Sequence, residues 1–165
     1  MNLKDVSLSI YSFGYSAGFI RDKRPEAATP AVDIGNIAEL ALRYGLGGVE
    51  FPVDHYFSSG EMDKAEVFIS DLQKQDLRAI IDIENFDSEY IRKLLPILGS
   101  KGLRFARIKM SNFYGGNRYK QPQFKQRLKD FIEELRSLLP ELRSHSVMLL
   151  IENHQDLGAD DLIQV

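Results

Sequence analysis

Residues 147–152 read VMLLIE, five consecutive apolar side chains that end on a carboxylate. An apolar run of this length is typical of a strand that is buried on both faces of a parallel sheet. Side chains alternate between the two faces of a strand. One face would carry Val147, Leu149 and Ile151, and the other would carry Met148, Leu150, Glu152 and, with continued extended backbone, His154. The sequence thus predicts a buried strand with ionisable groups at its carboxyl end.

Strand and helix signals alternate along the whole chain. Short runs rich in branched or aromatic side chains predict strands at residues 6–11, 49–51, 77–83, 103–110 and 147–151. Apolar residues at helical spacing predict helices at residues 33–44, 65–72, 91–98 and 124–138, and a last helix opens at Asp160 and Asp161. The chain therefore predicts five successive strand–helix units.

Capping and breaking residues place the ends of several predicted elements. Gly45 stands where a helix often ends on a left-handed residue, and Asp87 or Ser88 is expected to cap the third helix. Pro52 is expected to stop the second strand, and Pro96 to kink the third helix or end it early.

This alternation predicts right-handed crossovers and a parallel sheet, which is an α/β fold. Five units in 165 residues correspond to about 33 residues each, and eight such units make the usual barrel of roughly 250 residues. We expect a partial (β/α)8 TIM barrel of about five parallel strands with crossover helices. Residues 1–165 would be a single domain, truncated after strand five. An open doubly wound sheet is the alternative, although no glycine-rich dinucleotide fingerprint follows the first strand.

Composition narrows the class of protein. The chain carries a net charge of −3, with 27% charged residues and no cysteine. The acidic balance argues against a nucleic-acid partner, and the lack of cysteine excludes a disulfide framework and a thiolate metal site. The lack of cysteine also makes the cytoplasm the expected location, and residues 1–10 suit neither a signal peptide nor a membrane span.

Ionisable side chains recur near the carboxyl ends of the predicted strands, on the face opposite the apolar one. Glu50, Asp82, Glu84, Arg107 and Lys109 follow this pattern. In a barrel such groups converge on the axis, at the rim where active sites lie. Arg107 and Lys109 would either neutralise the carboxylates or bind an anionic group of a substrate, and we favour neutralisation.

Two segments resemble a known family. Residues 46–52, LGGVEFP, resemble the second-strand signature of the xylose isomerase-like TIM barrel superfamily, which includes the sugar phosphate isomerase/epimerase family. Residues 149–156, LLIENHQD, resemble its fifth-strand signature, and residues 159–162, ADDL, resemble the start of the next helix. The two segments stand at the expected distance, so the resemblance covers essentially the whole chain as the N-terminal portion of such a barrel.

The resemblance implies a metal-dependent sugar or sugar-phosphate isomerase or epimerase of carbohydrate metabolism. Glu152 takes the position of the carboxylate that ligates Mn, Mg, Co or Zn in this family and serves as an acid/base. The other ligands come from later strands, so the metal would be incompletely liganded here and the chain alone inactive. The candidate substrate contacts on the same rim are Glu50, His154, Lys109 and Arg107. The alternative to substrate contact is an ion pair for the charged residues and a loop hydrogen bond for His154.

Other interpretations stay open. An abasic-site endonuclease would need several histidines for a zinc cluster, whereas His55 and His145 fall in a loop or helix end and are interpreted as incidental. A non-catalytic half-barrel would act as a binding or assembly module, and its open sheet edges would favour a homo-oligomer. Residues 13–29 and 112–121 follow strands and are either lids over a substrate or mobile surface loops.

Overall fold

The computed structural model describes residues 2–14, 16, 17, 19, 32–110, 120, 122–153 and 156–165. Within them, five strands form one parallel sheet: β1 (Ser7–Ser9), β2 (Gly48–Pro52), β3 (Arg78–Ile83), β4 (Phe105–Ile108) and β5 (Met148–Ile151). The spatial order is β1-β2-β3-β4-β5, so every strand pairs with its neighbour along the chain. The prediction of an α/β fold with five successive parallel strands is confirmed.

Helices follow the strands along the chain. They are α1 (Ile34–Arg43), α2 (Val53–Tyr56), α3 (Met62–Lys74), α4 (Ser88–Ser100), α5 (Phe124–His145) and α6 (Ala159–Gln164). The predicted helix ends at Asp87 and Gly45 are confirmed: the Asp87 side chain accepts hydrogen bonds from the first turn of α4, and Gly45 has φ +66° just after α1. In the described part of the chain, no helix has the length and apolar character that a membrane span requires.

Two predicted elements differ from the structure. The first strand ends at Ser9 because residues Ile10–Phe13 turn into a 3-10 helix, which takes Tyr11 out of the sheet. The third predicted helix, α4, continues through Pro96 to Ser100, so its early end is wrong. The apolar side of α4 is buried on both sides of the proline, and this packing outweighs the cost of about 3 kcal/mol for a proline inside a helix.

The outer face of the sheet forms the hydrophobic core with the helices. Val49 and Phe51 of β2, Ile81 and Ile83 of β3, and Ile108 of β4 are all fully or almost fully buried. Their helix neighbours in the same core cluster include Ile37, Ala41, Ile69, Leu94 and Phe131. Removal of this apolar surface from water is the main favourable contribution to folding. The outer face is therefore sealed, and the opposite inner face is the one open to ligands.

Gly47 and Gly48 allow the 3-10 turn before β1 (Leu3–Asp5) and strand β3 to approach the start of β2 closely. A Cβ atom on Gly47 would lie 1.8 Å from the backbone oxygen of Lys4, and one on Gly48 would lie 2.6 Å from the backbone oxygen of Arg78. Backbone atoms of a close-packed sheet cannot move far enough to relieve such contacts. The glycine pair in LGGVEFP is thus required by the sheet itself, whatever the role of the glutamate that follows.

The amino-terminal part of the inner face is apolar and exposed. The exposed fractions are 40% for Ile80, 56% for Phe105, 58% for Met148 and 46% for Leu150, and we call these four residues the inner apolar patch. The prediction that the fifth strand is buried on both faces is therefore wrong. Its outer side packs on the core, but no element of the described chain covers its inner side.

Candidate functional site

The carboxyl-terminal part of the inner face carries charged side chains. The register of the sheet sets the position of each of them along the barrel axis. Pro52 pairs with Asp82, and Asp82 pairs with Arg107. Glu50 precedes Pro52 by two residues, so the register has advanced by two residues between Glu50 on β2 and Arg107 on β4. In an eight-stranded barrel of shear 8, strand tilt shifts the register by about one residue per strand. Glu50 and Arg107 therefore lie at the same height along the barrel axis.

The same stagger relates Asp82 on β3 to Glu152 at the end of β5. Asp82 pairs with Arg107, and Arg107 pairs with Leu150, which precedes Glu152 by two residues. Side chains of one barrel layer come from alternate strands. Asp82 with Glu152, and Glu50 with Arg107, thus occupy two neighbouring layers, which explains how side chains from non-adjacent strands meet.

Arg107 lies at the centre of these side chains. Its Nε and Nη2 atoms donate to the two carboxylate oxygens of Asp82 at 3.1 and 3.0 Å. Nη2 also lies 3.1 Å from Oε1 of Glu50, and Nε lies 3.5 Å from Oε2 of Glu152. Glu50, Asp82, Arg107 and Glu152 form what we call the rim cluster. Three carboxylates from three strand ends therefore share one guanidinium.

The rim cluster requires a concave sheet. Glu50 and Glu152 both reach the same guanidinium, although β3 and β4 separate β2 from β5. In a flat sheet, strands three places apart are about 14 Å from each other. Curvature of the barrel kind shortens that separation on the inner face, so the charged groups converge instead of standing in a row.

Asp82 is the most buried member of the rim cluster, and Tyr11 is one of its hydrogen-bond partners. The Tyr11 hydroxyl donates a hydrogen bond to Oδ2 of Asp82, which is 4% exposed. Burial, followed by the charge of Asp82, raises the pKa of Tyr11 above its ordinary value. Burial lowers the pKa of Arg107, but the hydrogen bonds and charge of Asp82 and the charges of Glu50 and Glu152 raise it by more. Both groups therefore keep their protons and act as hydrogen-bond donors at neutral pH.

Two further interactions lie next to the rim cluster. One is an ion pair of Lys109, and the other is a set of hydrogen bonds that the Asp54 carboxylate accepts. Nζ of Lys109 lies 3.6 Å from Oε1 of Glu84, so Glu84 pairs with Lys109 and not with Arg107. The carboxylate of Asp54, on α2, accepts hydrogen bonds from the backbone N–H groups of Glu84 at 2.9 Å and Asn85 at 2.8 Å. Asp54 thereby holds the backbone of the turn that follows β3, at Glu84 and Asn85.

Sequence reasoning did not select Tyr11 or Asp54 as site residues. Tyr11 had a usable signal, because it falls on the polar face of the first predicted strand. Asp54 had none, since it acts on backbone groups that are 30 and 31 residues away in sequence.

The predicted site residues fall into three groups. Glu50, Arg107, Lys109 and Glu152 lie on the inner face, in the rim cluster or beside it. His154 lies outside the described residues, as do most of the two predicted lid segments, 13–29 and 112–121. The two histidines interpreted as incidental are on helices: the His55 ring packs 4.7 Å from that of Phe19, and His145 ends α5.

The described donors around Glu152 do not make a complete metal site. Across the described ranges, no group of three or more His, Cys, Asp or Glu side chains is arranged to hold a metal ion. Oε2 of Glu152 faces the guanidinium of Arg107, which is itself a cation. The role of Glu152 as a metal ligand stays a prediction, and a complete site would need donors from outside the described residues.

Comparison with known proteins supports the fold. No protein-family model matches the sequence, and no curated protein matches it. Among solved structures, the chain is similar to D-psicose 3-epimerase with D-tagatose from Clostridium cellulolyticum H10, with a TM-score of 0.54 and 11% sequence identity. The match covers 81% of this chain and 54% of that chain, so this chain spans about half the length of the protein that it matches. At this identity the likeness concerns the fold alone, and it identifies a parallel α/β fold consistent with part of a TIM barrel.

Proposed function

We propose that this chain forms the strand-one-to-five part of a sugar or sugar-phosphate isomerase or epimerase, with the rim cluster facing the substrate. The observation that carries the proposal is the convergence of Glu50, Asp82 and Glu152 on one guanidinium at the carboxyl ends of parallel strands. Barrel enzymes have their active sites at that end. The fold similarity to a D-psicose 3-epimerase supports the reaction class, and a cytoplasmic location belongs to the same proposal.

In this proposal Glu152 takes the proton from the carbon atom next to the sugar carbonyl as the enediolate forms. Its side chain is 27% exposed, so a substrate can reach it, and Arg107 holds it from one side. A positioned carboxylate that transfers a proton contributes about 10² to 10⁴ in rate. No step is assigned to a metal ion (Mn, Mg, Co or Zn), because the described donors form no complete site.

The remaining rim residues are assigned to substrate binding or to positioning. We assign Glu50, Lys109 and His154 to hydrogen bonds with sugar hydroxyl groups. Arg107, for which the sequence allows either a substrate contact or neutralisation of carboxylates, has Nε and Nη2 engaged with Asp82 and Glu50. We therefore assign it to holding the carboxylates in place.

Ligand binding and hydrogen exchange test this function. The 165-residue chain would be incubated in D2O with ketoses and ketose phosphates, including D-psicose and D-tagatose, and followed by NMR for saturation transfer and for deuterium beside the carbonyl. We expect binding without turnover, because five strands supply only part of a barrel rim. Glu50→Gln and Glu152→Gln should weaken the saturation-transfer signals.

Glu39→Gln is the matched control, since Glu39 is an exposed glutamate on α1. Sugar binding that is unchanged in both rim variants, or no binding of any sugar in the panel, would contradict the proposal. Deuterium exchange that depends on Glu152 would support its acid/base role and contradict the expectation that the chain alone is inactive.

The inner apolar patch favours a second candidate function, a non-catalytic half-barrel that acts as an assembly module. Its four side chains lie together on one face and are 40% to 58% exposed. Clustered exposed apolar side chains often mark interaction sites, and open sheet edges offer unpaired backbone groups. Light scattering tests this candidate: concentration-dependent dimers or larger homo-oligomers would support it, and a monomer at all concentrations would argue against it. No observation in the described residues favours an abasic-site endonuclease.

A further inference from the structure

The rim already contains a cation of its own. Arg107 shares its guanidinium among carboxylates from β2, β3 and the end of β5. One positive centre held between several carboxylates is the arrangement that a bound divalent ion provides in oxygen-ligated metal sites. Here a side chain of β4 provides it, and the donor set for a metal ion is incomplete in the described residues.

Arg107 is anchored by the most buried member of the cluster. Asp82 accepts hydrogen bonds from Nε and Nη2 of Arg107, from the Tyr11 hydroxyl and from the backbone N–H of Ile83. Removal of one partner of a buried charge pair leaves the other charge uncompensated and is strongly destabilising. The guanidinium is therefore held at Asp82, whereas the 3.5 Å contact with Glu152 is the looser one.

We propose that Arg107 is the resident cation of the rim and supplies the positive charge that a divalent metal ion would otherwise supply beside Glu152. A guanidinium anchored at Asp82 repels a divalent ion that approaches the Glu152 carboxylate. The described rim then keeps its carboxylates in place without metal, and it binds a divalent ion more tightly when Arg107 is replaced by a neutral residue. This assignment concerns the charge of the rim and does not depend on which reaction the rim serves.

NMR gives a test that keeps the positive charge at position 107. The Nε–H signal of Arg107, assigned by its loss in Arg107→Lys, should shift in Glu152→Gln because Nε faces that carboxylate. It should persist when equimolar MnCl2 is added, since a paramagnetic ion broadens only the signals of nearby nuclei. Loss of the signal at substoichiometric Mn²⁺, together with its retention in Glu152→Gln, would place the ion at Glu152 and overturn the proposal.

Calorimetric titration with MnCl2 gives the complementary test. Arg107→Met should bind Mn²⁺ about tenfold or more tightly than the wild type, the size expected when one unit charge is removed at a partly solvated site. Glu152→Gln in the Arg107→Met background should abolish that gain. Arg107→Lys is the matched control and should resemble the wild type, because it keeps the positive charge.

Folding of each variant is checked by circular dichroism. If Arg107→Met does not fold, Arg107→Met combined with Asp82→Asn removes the buried carboxylate that lost its partner, and this double variant should bind Mn²⁺ about tenfold more tightly than Asp82→Asn alone. Equal Mn²⁺ affinity in the wild type and the neutral variant would overturn the proposal, as would a gain that survives Glu152→Gln. Failure of sugar binding in the experiments above would leave these metal titrations unaffected, so the two proposals fail separately.

Discussion

On β3, the side chains of Ile80 and Asp82 point to the same inner face two residues apart, yet Ile80 is 40% exposed and Asp82 is 4% exposed. β4 repeats the contrast, since Phe105 is 56% exposed whereas Arg107, two residues later, is enclosed by three carboxylates. Within the described residues, the charged side chains of the rim cluster form ion pairs with one another. The apolar side chains of the inner apolar patch are not covered by any described element.

The difference follows from how the two kinds of group are satisfied. A charged side chain needs a few partners at about 3 Å, and one long arginine on a concave sheet can reach several of them. Apolar side chains need the whole space around them filled at close-packed density. Five strands are therefore enough to give the charged rim side chains ion-pair partners but not enough to fill the centre below them.

The largest expected effect comes from removing the anchor of the rim. Asp82→Asn should lower the free energy of unfolding by about 3 kcal/mol, because it breaks a buried ion pair that also orients Arg107 and Tyr11. Urea denaturation followed by circular dichroism measures this change. Asp76→Asn is the control, since Asp76 is exposed and forms an ion pair with Lys4 at the surface, and its curve should overlay that of the wild type. Equal small effects in both variants would mean that the rim does not stabilise the fold.

Tyr11→Phe should have a smaller effect that depends on pH. At pH 7 the loss of the hydrogen bond to the Asp82 carboxylate should cost about 1.5 kcal/mol. Because the pKa of Tyr11 is raised in the folded state, the unfolded chain loses this proton first, above the ordinary tyrosine value of about 10. Its stabilisation is therefore complete below about pH 10 and decreases as the pH rises further.

The difference in unfolding free energy between the wild type and Tyr11→Phe should accordingly stay constant up to about pH 10 and shrink between about pH 10 and pH 11, as measured by urea titrations on both sides of this range. Tyr44→Phe serves as the control because Tyr44 is 61% exposed. A difference that grows with pH would contradict the sign of the pKa shift.

The smallest effect on stability is expected in the inner apolar patch. Phe105→Gln should change the free energy of unfolding by no more than about 0.5 kcal/mol, because the side chain is already largely exposed. Any self-association seen by light scattering should nevertheless weaken. Leu139→Gln, at an exposed apolar position on α5, should leave association unchanged. A large loss of stability in Phe105→Gln would mean that the patch is covered in solution.

Much of the architecture could be predicted from local patterns. Strand–helix alternation predicted five parallel strands but left their spatial order open, and Asp87 and Gly45 marked the ends of helices as expected. These features were accessible because residue periodicity and capping depend on neighbours within a few positions. Pro96 misled for the opposite reason, since packing on both sides of it outweighed a local preference.

The sequence by itself determined which groups stand at the strand ends, because the period of two in a strand assigns Glu50, Arg107 and Glu152 to one face. Only the tertiary structure decided which of them meet. The stagger and curvature of the sheet place Arg107 in ion pairs with Glu50, Asp82 and Glu152. They also pair Lys109 with Glu84 and bring the Tyr11 hydroxyl to Asp82. It also left the inner side of β5 exposed, although its apolar sequence indicated burial. Pairing and burial depend on the tilt of the strands and on how completely the sheet closes around its axis, and no local run of residues encodes either property.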